Sequence, residues 1–199
     1  MIHHENTRVK NPHPTNMQKV TIHNKTFVKY IDKTEIEKTV HRIATQIKNE
    51  YSDDVPLFVV VLNGAVFFAA SLMQAVDIPL EMCSIKCSSY FGTQSSGEVK
   101  QLLGISGDIS NRRVIVVEDI IDTGLTIKHI CELLREKKVK DIKIASLTLK
   151  KDIYQGDIPI DYIGFEIEDK FVVGYGLDYN ELGRNLSCIY QLDEFTEKD

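Results

Sequence analysis

Three carboxylates, a glycine and two threonines are packed into Val114–Thr126 (VIVVEDIIDTGLT), at the end of the apolar run RVIVV. Polar groups concentrated after a buried strand are costly unless they meet a partner. Asp122-Thr123-Gly124-Leu125-Thr126 reads as the opening of a helix, where unpaired backbone N–H groups and the positive end of the macrodipole favour a bound anion. Thr123 and Thr126 add hydroxyl donors, and Gly124 lets the backbone come close to a phosphate. The turn is a phosphate cradle without the lysine of a Walker loop. One turn earlier, Glu118 and Asp119 offer carboxylate oxygens of the kind that accept from ribose hydroxyls or hold a hydrated Mg2+. A capping cluster would use the same residue types. The fixed spacing after the apolar strand, Glu-Asp, two apolar residues, then Asp-Thr-Gly, favours the phosphate reading.

Such a turn needs a buried strand before it and a helix after it. Ile36, Val40, Ile43, Ile47 and Tyr51 recur at three- and four-residue steps and predict a helix capped by Asp32 or Thr34. LFVVVL (Leu57–Leu62) predicts a strand that turns at Asn63-Gly64 into a second helix, AVFFAASLMQAV. LEMCSIK from Leu80, RVIVV (Arg113–Val117) and IKIASLTL (Ile142–Leu149) read as further strands. RVIVV is expected to end at Glu118-Asp119, with Ile127, Ile130, Cys131 and Leu134 marking the helix beyond the cradle. Continuously apolar strands alternating with helices predict an α/β fold, a central and mostly parallel sheet flanked by helices, with ligands at the carboxyl ends of the strands. Residues 88–100 (SSYFGTQSSGEVK) are poor in core-forming side chains and read as a mobile loop. Residues 1–18 are polar and read as a disordered tail, leaving 19–199 as one domain.

Composition removes several classes of partner. Acidic residues outnumber basic ones 29 to 24, so the net charge of −5 disfavours nucleic acid and anionic membranes. No apolar run approaches the roughly 20 residues of a membrane span, and the N-terminus lacks the apolar core of a signal peptide, so a cytoplasmic location is expected. The 4 cysteines are too scattered for a disulfide framework. Cys83 and Cys87 fall on one face of a strand without further zinc ligands and read as core.

EDIIDTGLT after a hydrophobic strand resembles the phosphoribosyl-pyrophosphate motif of the type I phosphoribosyltransferases. DKFVVGYGLDYNELGRNL (Asp169–Leu186) resembles the purine-binding hood of the hypoxanthine-guanine phosphoribosyltransferases, and SSYFGTQSSGEVK is similar to their flexible catalytic loop. The resemblance runs from about residue 20 to residue 190. It implies the type I fold, with a small hood of N- and C-terminal segments, about residues 165–190, over the purine site. It places the ribose 5-phosphate in Asp122–Thr126, the ribose hydroxyls on Glu118 and Asp119, and Asp122 as general acid or base at the purine imidazole. It further implies that Lys150 binds the 6-oxo group, that Phe171 stacks on the base and that Val172 offers backbone hydrogen bonds. Lys170 belongs to the same motif, although a lysine beside a strand is usually just solvated. Asp178, with Glu118 and Asp119, is implied as a Mg2+ ligand, Arg184 as the grip on pyrophosphate, and Ser89 and Tyr90 as part of the closing loop. Leu62-Asn63-Gly64 matches a pyrophosphate turn that often holds a non-proline cis peptide.

Departures from the pattern are Asn63, where relatives carry lysine or arginine, Leu182-Gly183 at a usually aromatic position, and Ser187-Cys188 at a proline-containing step. The function implied is Mg2+-dependent transfer of phosphoribosyl from phosphoribosyl pyrophosphate to hypoxanthine and guanine in purine salvage. The resemblance also implies a homodimer or homotetramer, with the strand-turn region near Phe67 and Phe68 at the contact. The rival reading is a non-catalytic nucleotide-binding regulator of the same fold.

Overall fold

The computed structural model describes residues 18–89, 99–105 and 107–194. The expected tail, save Gln18, and residues 90–98 of the expected loop, with Tyr90, lie outside them.

The apolar runs form the central sheet. Strands β3 (Leu57–Leu62), β4 (Glu81–Ser89), β6 (Arg113–Ile121), β7 (Asp141–Lys150) and β8 (Tyr162–Ile167) are parallel in the order β4-β3-β6-β7-β8, and β5 (Val99–Leu103) adds antiparallel to β4. Because strand side chains alternate between faces, β3 and β6 feed two cores. Phe58, Val60, Ile115 and Val117 meet helices α1 (Lys33–Glu50) and α2 (Val66–Val76), while Val59, Val61, Val114 and Val116 meet α3 (Leu125–Glu136). The cap of α1 is Asp32, which accepts from Thr34 N while Glu35 accepts from Asp32 N, a reciprocal capping box. Cys83 and Cys87 pack against the α3-side core, and both remain free thiols.

A second sheet, β1 (Lys19–Ile22), β2 (Lys25–Ile31), β10 (Ile189–Leu192) and β9 (Val172–Val173), joins the two ends of the chain in the order β1-β2-β10-β9. This is the hood.

Three expectations change. β6 does not stop at Glu118-Asp119; its pairing with β7 continues through Glu118↔Ser146 to Ile121↔Leu149, so both acids stand within the strand. Both ends of the expected loop belong to strands, because β4 runs to Ser89 and pairs Ser88↔Lys100 and Ser89↔Val99 with β5. Phe67 and Phe68 lie on α2 rather than in a strand-turn, and Phe68 is fully buried while Phe67 is 41% exposed, so only the latter can reach a partner. Among the described residues no helix is long and apolar enough to cross a membrane.

Candidate functional site

The carboxyl ends of β3, β6 and β7 converge beneath the hood, and the residues singled out by type and spacing gather there. After β6, Gly124 adopts a left-handed conformation (φ 87°) as the N-cap of α3, with no side chain capping the helix's first N–H groups. A Cβ on Gly124 would lie 2.4 Å from Cε2 of Tyr154, so the glycine serves the backbone twist and also the ring packed against it. The first N–H groups of α3, with Thr123 and Thr126 in the same turn, are left uncapped by any side chain, and uncapped N–H groups at a helix N-terminus are the donors an anion uses.

Glu118 and Asp119 are both buried, and Glu118 Oε2 has no hydrogen-bond partner. An orphaned buried carboxylate oxygen is an acceptor waiting for a donor or a cation. Burial, reinforced by the neighbouring Asp119, pushes the Glu118 carboxyl well above its usual range. Burial likewise lifts Asp119, to about 6, against the pull of the Asp119 and Ile120 backbone N–H groups and the Arg184 charge. A carboxyl raised in the folded state binds protons that the unfolded chain has already released, so its stabilising contribution is lost as pH rises. Stability should therefore fall as pH rises from the ordinary carboxyl range near 4 through the raised values, which for Asp119 lie at about 6, and Glu118→Gln should flatten that slope in denaturant titrations taken at stepped pH.

The turn after β3 carries a cis peptide at Leu62–Asn63, not preceding proline, as the resemblance implied. Asn63 is exposed and Gly64 buried. A Cβ on Gly64 would lie 1.8 Å from Asp119 Oδ2, so the missing side chain is the space that the acid occupies. From above, Gly176 (φ 106°) comes so close that its Cβ would lie 1.9 Å from the Gly64 carbonyl oxygen. The same hood segment holds Arg184, whose Nη1 donates to Gly176 O (2.9 Å) and whose Nη2 pairs with Asp178 Oδ1 (2.8 Å) and Glu181 Oε2 (3.2 Å). Asp178 also accepts from Glu181 N. Asp119, Gly64, Gly176, Arg184 and Asp178 thus form one continuous patch. Gly183, at the departure from the usual aromatic, has φ 99° and a would-be Cβ 2.7 Å from Ile22 Cδ1, so β1 closes over the place of the absent side chain.

On the other flank, Lys150 ends β7 with Nζ 3.2 Å from Asp122 Oδ2 and 2.8 Å from Asp169 Oδ1. Burial opposes its charge, but the hydrogen bonds to Asp169 and Asp122 outweigh that and raise its pKa. Phe171 is 43% exposed, its ring edge-on to Tyr179 (5.7 Å) and tilted against the fully buried Phe27 (5.9 Å), which leaves a supported aromatic surface facing outward. Val172 lies on β9, the edge strand of the hood, so part of its backbone is turned away from β10. Lys170 instead pairs with Glu194 (2.9 Å), on the outside of the hood. Ser89 ends β4, and Tyr90 is outside the described residues.

Residue types and spacing alone did not single out Tyr154, Asp169, Gly176, Phe27 and Tyr179. Gly176 and Tyr179 fall inside the hood motif, and their signal is a glycine and an aromatic at fixed places in GYGLDY; Tyr154 and Phe27 carry no local signal. A separate cleft of about 320 Å³, between α1, α2 and Tyr175, includes none of the expected site residues. Among the described residues no group of three or more His, Cys, Asp or Glu side chains is placed to hold a metal unaided.

Residues 28–180 match the family described as the phosphoribosyl transferase domain. The hypoxanthine-guanine phosphoribosyltransferase of Bacillus subtilis is 44% identical over 160 residues, covering 80% of this chain and 89% of that protein. The hypoxanthine-guanine-xanthine phosphoribosyltransferase of Tritrichomonas foetus is 40% identical over 162 residues, covering 80% and 88%. A crystal structure of a Staphylococcus aureus hypoxanthine phosphoribosyltransferase superposes with a TM-score of 0.80 at 35% identity, covering 86% of this chain and 94% of that one. A sheet topology, an acid pair and a glycine-opened helix could each arise separately; with these likenesses spanning most of the chain, they place it in the phosphoribosyl transferase family, among the hypoxanthine-guanine phosphoribosyltransferases.

Proposed function

We propose that the protein is a purine-salvage enzyme that transfers the phosphoribosyl group of phosphoribosyl pyrophosphate to hypoxanthine and to guanine, releasing pyrophosphate. The observation that carries this reading is the junction of two half-sites. A phosphate turn with its buried acid pair lies on one side, and on the other the Lys150–Asp122 pair is tied through Asp169 to the connection that carries Phe171.

In this reading the N–H groups opening α3, with Thr123 and Thr126, bind the 5-phosphate, and Glu118 and Asp119 accept from the ribose hydroxyls. Phe171 stacks on the purine, the edge of β9 at Val172 meets the ring through its backbone, and the Lys150 ammonium donates to the 6-oxo group. The bond from the anomeric carbon to pyrophosphate breaks, the bond to the purine nitrogen forms, and the imidazole proton passes to the Asp122 carboxylate. Charge develops on the ribose ring as pyrophosphate departs, so the hood must exclude water while Arg184 exchanges its carboxylate partners for phosphate oxygens. No three carboxylates gather into one metal site among the described residues, so Mg2+ would be held by one or two of them, the unpaired Glu118 Oε2 with Asp119 or else Asp178, together with water and the substrate's own phosphates. When bound, the ion supplies neutralisation of the departing pyrophosphate. The same reading makes the enzyme a cytoplasmic homodimer or homotetramer, with the exposed Val66 and Phe67 on α2 as the apolar contact.

The rival, a non-catalytic regulator, gains no support from the relatives above, which are named as transferases. The test is incubation with phosphoribosyl pyrophosphate, Mg2+ and hypoxanthine, guanine, xanthine or adenine in turn, with the products identified by chromatography. IMP and GMP are expected, without AMP. No nucleotide from any of the bases would sink the proposal.

A further inference from the structure

Lys150 has a closer partner than the acid assigned to proton transfer. Its Nζ lies 2.8 Å from Asp169 and 3.2 Å from Asp122. The two carboxylates come from different places, Asp122 from the turn after β6 and Asp169 from the connection between β8 and β9 that also presents Phe171. A lysine ammonium has three N–H donors on a flexible stem and no preferred direction of its own. With two donors spent on carboxylates from separate elements, its position is fixed and one donor is left over. The Lys150 side chain is 11% exposed and that of Asp169 is 61% exposed, so the pair adds little to the stability of the fold.

We infer that Asp169 is a positioning residue for the purine base: it shares the Lys150 ammonium with Asp122 and aims its remaining N–H at the 6-oxo acceptor, thereby favouring 6-oxo over 6-amino purines. This rests on the proposed phosphoribosyl transfer and names a residue to which that reading gave no role. Without Asp169, Lys150 is left with Asp122 as its one anchor and loses its aim. A 6-amino group would set a donor against a donor, so a fixed ammonium discriminates where a wandering one does not. Because Asp169 and Phe171 share one short connection, the placement of the ring and the aim of the lysine are set together.

The test compares wild type with Asp169→Asn and Asp169→Glu. Asp169→Asn should raise KM for hypoxanthine about tenfold, with KM for phosphoribosyl pyrophosphate changed less than twofold and the thermal midpoint unmoved. Asp169→Glu, with room to adjust at an exposed position, should return the hypoxanthine KM to within about threefold of wild type. IMP binding by calorimetry should weaken about tenfold in the asparagine variant, a readout that does not depend on turnover. A hypoxanthine KM and an IMP affinity within twofold of wild type in Asp169→Asn would overturn the inference. So would an equal rise in both KM values, or no recovery with glutamate. If wild type forms no nucleotide at all, the transfer reading fails on its own, and the IMP measurement still decides the role of Asp169.

Discussion

Asp122→Asn should lower kcat by about 10²–10³-fold while changing KM for phosphoribosyl pyrophosphate by no more than about threefold. The amide keeps the size and planarity of the carboxylate but cannot take the imidazole proton. The remaining parts of the phosphate cradle are untouched, since the open N–H groups of α3 and the two threonines do not depend on the charge at residue 122. Lys150 retains Asp169 at 2.8 Å, so the substitution does not leave a buried ammonium without a counter-charge. The loss should therefore appear in turnover and not in substrate affinity. Steady-state kinetics with both substrates varied decides it, and an unchanged kcat would remove Asp122 from the chemistry.

The second large effect is structural in origin. Gly176→Ala would place a methyl group 1.9 Å from the Gly64 carbonyl oxygen, a backbone atom that cannot swing aside, at a φ of 106° that alanine resists. The hood must lift from the pyrophosphate turn, and Arg184, tied to Gly176 through both its side chain and its backbone, must move with it. A loss of about 3 kcal/mol or more is expected, which for a chain of this size is about 6–12 °C in thermal midpoint. KM for phosphoribosyl pyrophosphate should rise at least tenfold, on the order of 1.4 kcal/mol. Gly107→Ala is the control. Gly107 has φ 83° but nothing within 4 Å of its would-be Cβ, so it reports the conformational cost alone. Equal midpoints for the two variants would mean that the Gly64–Gly176 contact contributes nothing.

The parts of the molecule that could be read from sequence are those whose signal is local. The uninterrupted run Leu57–Leu62 coincides with β3, and the three- and four-residue spacing from Ile36 coincides with the buried face of α1, because burial alone dictates both patterns. The phosphate turn was legible for the same reason: its donors and its glycine are neighbours in the chain. The charges of Glu118 and Asp119 suggest the end of β6, because charged residues usually terminate a buried strand; the ladder to β7 instead continues past them and carries both acids into the sheet. The hood sheet was legible only through family likeness. Its strands are as short as the two residues of β9, and their pairings join positions as distant as Ile31 and Ile189, so no periodicity within a window reveals them. Asp169 and Tyr154 belong to the same class, acting on Lys150 and Gly124 through approaches that exist only once the chain has folded.

Strand β10 lies between β2 and β9, so the sheet that backs Phe171 is completed by a segment that follows the phosphate turn in the chain. The phosphate turn, the acid pair and Lys150 all precede it by some forty residues or more. During translation the phosphate turn can therefore take shape while β2, already paired with β1, still awaits β10. Pairing Ile31 with Ile189 closes a loop spanning most of the chain, at a cost in entropy that the pairing of β10 returns. A chain lacking Ile189–Leu192 would keep the phosphate turn but lose the strand that joins β2 to β9, which makes base binding, rather than phosphate binding, the report of an assembled hood.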